Sequence, residues 1–346
     1  MKRLGVCALA ALLAGCAGVG VGIGGGQWGV STGTRLCPAD GRFGFGATEP
    51  CPFDTPEPRL TELRAEALAD GVWVLRGSGD EAAPRNRGWV ANIGVIVGPE
   101  GVVLVDTGTS GHQIEAALAA VARLTSQPVV LAVVTHQAPE FVFGAAILRE
   151  RGIPLLAHAR AAAFIEERCE ICLGKLRDTL GAAEMRDSVV TVPERTIDRD
   201  TVIAVGGREI ELIDVSQARG TGDIVVRDRA SGVLFASGLA SAGRLPELRI
   251  GDLDGWQAAL ARLAALKPAI VVPGFGAPGG AEVLTDTGRY LAGLDAAVRD
   301  ALARDVGLVH AMNGLRVAGF ERWAGQSTIA PQNVQKRWLA LEAAGQ

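Results

Sequence analysis

The chain carries four histidines and six cysteines, and their placement decides which chemistry is open to it. His136 is the most informative. It ends residues 129–135 (VVLAVVT), an apolar, β-branched run with the pattern of a buried strand. After Pro139, the apolar residues Phe141, Ala145 and Leu148 recur at helical spacing. A histidine between a strand end and a helix sits where open α/β sheets place their ligands. Taken alone it reads as a loop histidine with no function, and the surrounding chain is what changes that reading. The other three point elsewhere: His112 to a helix start as a surface or capping residue, His158 to a structural place after a strand, and His310 to a C-terminal stretch with no partner motif.

Among the cysteines, Cys169 and Cys172 form a Cys-x-x-Cys within Glu166-Glu167-Arg168-Cys169-Glu170-Ile171-Cys172. Such a pair suits a bracing disulfide, redox exchange or metal binding. A redox pair usually opens a helix after a strand, whereas this one lies inside a helical-period segment, so a structural disulfide or a local pair bracing a helix start is the first expectation. Two thiols alone do not close a zinc site. Cys37 and Cys51 flank a Gly- and Pro-rich stretch and are the first candidates to pair with one another. Cys16 has another role. Lys2 and Arg3 precede a short apolar run from Leu4 to Leu13, followed by Leu13-Ala14-Gly15-Cys16, which looks like a bacterial lipobox with Cys16 acylated. Ala17 and Gly18 carry no acidic retention signal. The expected address is therefore periplasmic, lipid-anchored at the outer membrane of a Gram-negative bacterium and not membrane-spanning. An oxidising periplasm permits disulfides.

Other motifs exclude themselves. Gly24-Gly25-Gly26 lacks the Lys-Ser/Thr and strand–helix context of a phosphate loop, Gly206-Gly207 reads as a hairpin turn, and Ser237-Gly238-Leu239-Ala240-Ser241 is no nucleophile elbow. A formal net charge of -4 and a pI of about 5.7 give no footprint for nucleic acid. Past the N-terminus no stretch reaches the roughly 18 apolar residues of a membrane span.

The elements that must position His136 follow from pattern. Residues 17–58 lack helical period and read as a tether. Residues 72–75 form a strand, and residues 93–97 and 102–105 a hairpin around Gly98-Pro99-Glu100-Gly101. Asp106-Thr107-Gly108 ends it, and an amphipathic helix follows over 112–124. After His136 the pattern predicts a helix over 140–151, a strand at 154–157 and a helix from about 159 through 181. Strands are expected at 189–192, 202–205, 209–215, 224–226 and 233–236, then a helix over 255–266, a strand at 269–272 and a long helix over 281–303. Two halves of strands followed by helices suggest sheets packed face to face with helices outside. The expected organisation is a signal segment (1–16), the tether (17–58), a globular domain (59–305) and a C-terminal extension (306–346), helical at its end.

Several stretches in order resemble one family. Asn92 through Gly108 (NIGVIVGPEGVVLVDTG) is similar to the opening hairpin of the metallo-β-lactamase fold superfamily. Val134-Thr135-His136 then resembles its first metal motif, and Gly222-Asp223, Leu234 through Gly238, and Val272-Pro273-Gly274-Phe275-Gly276 follow in the family's order. The resemblance covers residues 70–300 and implies an α+β fold, a four-layer αβ/βα sandwich with a metal site at one edge between the sheets. Residues 333–342 are similar to the tail of periplasmic members associated with quinoprotein and sulfur-oxidation systems, a narrower match.

The family hydrolyses esters, amides or thioesters with one or two zinc ions, whose bound water is deprotonated near neutral pH. Carried over residue by residue, its ligand positions fall on His136, Ala138, Glu140, Phe141, Arg219, Gly238 and Phe275. One matches, Glu140 is similar to the family's aspartate, and the other five cannot coordinate zinc. The expectation is a protein with no metal and no cofactor, whose remnant pocket contains Asp106, His136, Glu140 and Arg219. In it Asp106 and Glu140 would repel one another with raised pKa values, and Arg219 would hold them by bidentate hydrogen bonds. The expected function is non-catalytic binding of a periplasmic protein or small molecule, linked to quinoprotein oxidation. The alternatives are a zinc hydrolase with a rearranged or single-metal site at His136 and Glu140, and a thiol redox protein acting through Cys169 and Cys172.

Overall fold

The computed structural model describes Trp28–Val30, Leu36–Pro38, and residues 62–249 and 251–345. Two compact units are distinguished, Met1–Arg59 and Leu60–Gln346. In the first, β1 (Trp28–Val30) and β2 (Leu36–Pro38) pair antiparallel. The signal segment, Cys16 and the Cys37–Cys51 pairing lie outside the described residues, Cys51 included.

The second unit is built on two sheets. The larger runs in sequence order through β3 (Ala65–Ala69), β4 (Val72–Leu75), β5 (Ile93–Gly98), β6 (Gly101–Val105), β7 (Val129–Val134), β8 (Leu155–His158) and β9 (Arg195–Ile197). It is antiparallel up to β6 and parallel from there on. The smaller sheet runs through β10 (Thr201–Val205), β11 (Arg208–Asp214), β12 (Ile224–Asp228), β13 (Val233–Ser241) and β14 (Ile270–Phe275), with only β13 and β14 parallel.

Successive side chains of a strand face opposite sides, and β6 shows what that does here. Val103 and Val105 point inward to pack with Ile210, Leu212, Val226, Val233 and Phe235 of the other sheet. Val102 and Leu104 point outward onto Ile114, Ala117 and Val121 of α1 (Gly111–Leu124). Ser110 caps α1 by accepting from the Gln113 N–H at 3.2 Å. The outer face of the smaller sheet is covered in the same way by α5 (Leu253–Ala265), α6 (Glu282–Ala303) and the C-terminal α8 (Ile329–Ala343). The result is helix, sheet, sheet, helix: the αβ/βα sandwich. The extension from residue 306 belongs to this layer, with Trp338 and Leu341 in its core and α7 (Leu308–Gly314) alongside. Among the described residues no helix is long and apolar enough to cross a membrane.

Two local expectations need correction. The segment 140–151 is not one helix but two, α2 (Pro139–Val142) and α3 (Ala145–Glu150). The Phe141 carbonyl accepts from the Thr107 N–H (3.0 Å) and hydroxyl (2.8 Å), and the Phe143 N–H donates to the Gly108 carbonyl. Turn Asp106–Gly108 thus takes the bonds that would have continued the helix. Residues 189–192 form no strand; the ladder to β8 begins beyond Pro193, at Arg195, since proline has no N–H to donate. Between β8 and β9 runs α4 (Ala159–Leu180), capped by His158.

Candidate functional site

The ends of β6, β7 and β14, the start of β12 and the middle of β13 converge at one edge of the sandwich. The edge is stitched across the sheets. The Ile224 N–H of β12 donates to the Thr135 carbonyl at 3.0 Å, and the Asn92 side chain donates to the carbonyls of Pro273 and Gly276. Each candidate side chain is therefore held by rigid backbone.

Asp106 occupies the turn after β6 with φ +70°. One carboxylate oxygen accepts from the Thr135 N–H (2.9 Å) and hydroxyl (2.7 Å), the other from the Ser237 hydroxyl (2.6 Å). Burial pushes its carboxyl up, and these hydrogen bonds pull it back only in part, leaving it at about 6. The repulsion expected from Glu140 is not what raises it: burial dominates, and the carboxylate that adds to it is Asp223. Arg219 forms no pair with Asp106 or Glu140 either. The expected bidentate clamp is replaced by another arrangement.

His136 lies between two groups. Nδ1 faces the Asp223 carboxylate, and Nε2 meets the Nη1 of Arg219. A guanidinium only donates, so Nε2 accepts and the proton stays on Nδ1, directed at Asp223. Burial lowers the His136 pKa, and Arg219 lowers it further against the pull of Asp223. Asp223 also accepts from the Gly220 N–H at 2.7 Å, which fixes the loop carrying Arg219.

Arg219 is 4% exposed and belongs to a second cluster. Its Nη2 lies 3.6 Å from Glu247, which also pairs with Arg244 (2.7 Å) and Arg249 (2.7 Å). Burial pushes the Glu247 carboxyl up, but the three guanidiniums, Arg249 foremost, outweigh it and hold it below its ordinary range. Gly238 faces the same point, since a Cβ there would lie 2.9 Å from Arg219 Nη1 and 3.0 Å from His136 Cδ2.

The other half of the edge is apolar. Phe141 stacks edge-on against His136 and against Phe275, both at 5.7 Å between centroids, and the Arg244 guanidinium lies 4.0 Å over the Phe275 ring. Glu140 is buried, and its Oε2 has no hydrogen-bond partner. Ala138, with His136, Gln137, Pro139, Phe164, Cys172, Arg219, Glu247 and Arg249, lines a pocket of about 100 Å³.

Cys169 and Cys172 are free thiols, contrary to the expected disulfide. Residues three apart on a helix keep their Cβ atoms about 5–6 Å apart, wider than the ~3.8 Å of a disulfide. The remaining histidines are structural or exposed: His158 caps α4 through Nδ1, His112 Nδ1 lies 3.1 Å from the Glu184 carbonyl, and His310 faces solvent.

The groups that sequence reasoning missed are Glu247, Arg244 and Arg249, on a loop with no periodicity. Asp223 was visible as part of Gly222-Asp223, but its pairing with His136 was not. The order Arg244, Glu247, Arg249 leaves a local charge pattern in the sequence but no period that places it at this edge.

Comparison with known proteins places this edge in context. Residues 86–274, more than half of the chain, match the metallo-beta-lactamase superfamily. Among solved structures, a metallo-beta-lactamase from Pontibacter korlensis aligns with 22% identity over 67% of this chain and 99% of its own, at a TM-score of 0.55. The metallo-beta-lactamase FIM-1 from Pseudomonas aeruginosa, in a mono-zinc form, aligns with 20% identity over 67% and 96%, at 0.53. The stereoselective inverting sec-alkylsulfatase Pisa1 from Pseudomonas sp. aligns with 17% identity over 80% of this chain, at 0.60. This chain spans half the length of that enzyme.

Proposed function

From the premise that the chain belongs to the metallo-β-lactamase superfamily, we propose that it is a member whose metal has been replaced by a guanidinium and which binds a small anionic ligand. The observation that carries the reading is the Arg219–His136 contact. An imidazole that donates one ring N–H to a carboxylate is oriented as metal-binding histidines are, and His136 is held that way by Asp223. The lone pair a metal would take is engaged by Arg219 instead. The remaining donors do not fit zinc. Ala138, Gly238, Phe141 and Phe275 offer none, and one imidazole with one carboxylate falls short of the three protein ligands of a catalytic zinc.

What these residues support is recognition. Arg249 uses Nε on Glu247, and its two Nη groups have no hydrogen-bond partner among the described residues. They would meet a carboxylate or similar anion side-on, as guanidiniums do. Ala138, Pro139 and Phe164 supply an apolar wall for a short hydrocarbon portion. Glu247 fixes the three arginines in place, while the absence of a Cβ at Gly238 leaves room for Arg219 to meet His136. The ligand fits a periplasmic setting, with the protein anchored by a lipid on Cys16 and serving a quinoprotein oxidation system.

Calorimetric titration of the full chain with butyrate tests this. Saturable binding, weakened about tenfold in Arg249→Gln, is expected from losing one charge-assisted contact worth about 1.4 kcal/mol. Absence of binding, or equal affinity in the variant, contradicts it. The superfamily neighbours named as hydrolases favour a second reading, a hydrolase with a rearranged or single metal. It requires metal bound at His136 and is separated from the first by metal content.

A further inference from the structure

Cys172 lies on the wall of the pocket beside Arg249, while Cys169, one turn earlier on α4, is buried behind it. The Cys169 thiol is 3.8 Å from the Gln137 carbonyl, adjacent to His136. The two cysteines stand three residues apart on one helix, where side chains are neighbours on the same face. One sulfur thus faces the pocket, and the second is within reach of the first but shielded from solvent. A purely structural pair has no reason to open one member onto a cavity. The pocket wall also carries Arg219 and Arg249, whose guanidiniums face the same space as the Cys172 sulfur.

We propose that Cys172 and Cys169 form a dithiol that reduces a small, anionic disulfide admitted to the pocket. The thiolate of Cys172, its proton lost to solvent, attacks one sulfur of the substrate R–S–S–R. The substrate's S–S bond breaks, a bond forms between Cys172 and one R–S group, and R–S⁻ departs to be protonated by solvent. Cys169 then attacks the Cys172 sulfur. The Cys169–Cys172 bond forms, the mixed disulfide breaks, and the Cys169 proton leaves with the second R–SH. Two protein thiols are oxidised and one disulfide is reduced to two thiols.

The electrostatics suit this order. The neighbouring Cys169 thiol, together with Lys175 and Arg249, brings the Cys172 thiol down to about 7 against the effect of burial. Cys169 is shifted the other way by the same neighbour and by burial. The attacking thiol therefore ionises near neutral pH, where exchange is fastest. Mid-helix placement leaves no help from a helix N-terminus, so Cys169, Lys175 and Arg249 do that work. Closing the Cys169–Cys172 bond requires this turn of α4 to draw the two Cβ atoms from about 5–6 Å to about 3.8 Å. The preference for an anionic substrate rests on the reading of Arg249 given above; the thiol chemistry does not.

Trypsin releases residues 169–175 as one peptide, so the pair can be read by mass in the full chain without interference from other cysteines. The reduced protein is treated with 3,3′-dithiodipropionate, a dicarboxylate, or with neutral bis(2-hydroxyethyl) disulfide. Loss of about 2 Da from this peptide is expected, with a rate rising to half its maximum near pH 7 and about tenfold faster for the dicarboxylate. Cys169→Ser should trap an adduct on Cys172, and Cys172→Ser should yield none. Equal rates for the two reagents, with the peptide oxidised, would support the dithiol and remove the anion reading. A peptide that stays reduced with both reagents, or an adduct on Cys169 in Cys172→Ser, overturns the proposal.

Discussion

The two halves of the pocket edge are held together in opposite ways. On one side, Arg219 is polar and buried, bonded to His136 and facing Glu247. On the other, Phe141 and Phe275 form an edge-to-face pair. In the charged half, Arg219 and Asp223 hold the imidazole from its two ring nitrogens. In the apolar half, ring packing fills the space. Such an edge stays packed provided buried charge is matched by charge and volume is filled by hydrocarbon.

The sharpest way to break the comparison is to truncate the apolar half. Phe141→Ala removes a fully buried ring and should cost about 3–5 kcal/mol in urea unfolding. A loss below about 1 kcal/mol would mean the ring fills no core. Next comes the pH dependence of Asp106, which borders both halves. Its carboxyl is raised in the folded protein from 3.8 to about 6. The protonated form is therefore favoured by folding; that contribution is complete below about pH 4 and lost as pH rises through about 6. The difference amounts to about 3 kcal/mol. Unfolding free energies of wild type and Asp106→Asn should diverge over this window, and parallel curves would refute the assignment. His136 acts with the opposite sign: its pKa is lowered, so its contribution is present above about 6.5 and lost as pH falls below it.

A smaller effect is expected in the charged half. Arg219→Met leaves Glu247 with two cations but takes the donor from His136 Nε2, and should cost about 2 kcal/mol. It should also make His136 easier to protonate, visible by NMR titration of the imidazole. If stability and titration are both unchanged, Arg219 is not what holds the imidazole.

Much of this architecture was legible from the chain itself. The apolar runs at 93–97 and 102–105 were legible as a hairpin, though unbroken apolar runs do not say which side chains face the other sheet, and the order of short motifs named the fold and brought His136, Gly238 and Phe275 to one edge. What was not legible has a common physical cause. Glu247, Arg244 and Arg249 sit on a loop whose charges find each other only in three dimensions. Arg219 was readable as a substituted ligand, but whether it would turn to Asp106, to Glu140 or to His136 depends on a backbone turn at Gly220 that no periodicity encodes. Helix α2 ended early because Thr107, some thirty residues before it, bonds the Phe141 carbonyl.

The claim that a guanidinium has replaced the metal is tested most directly by metal content. The purified full chain is dialysed against zinc, then against metal-free buffer, and assayed beside His136→Ala. The expected result is below about a tenth of an equivalent in both proteins. About one equivalent in the wild type, lost in His136→Ala, would contradict it and make the pocket a metal centre after all.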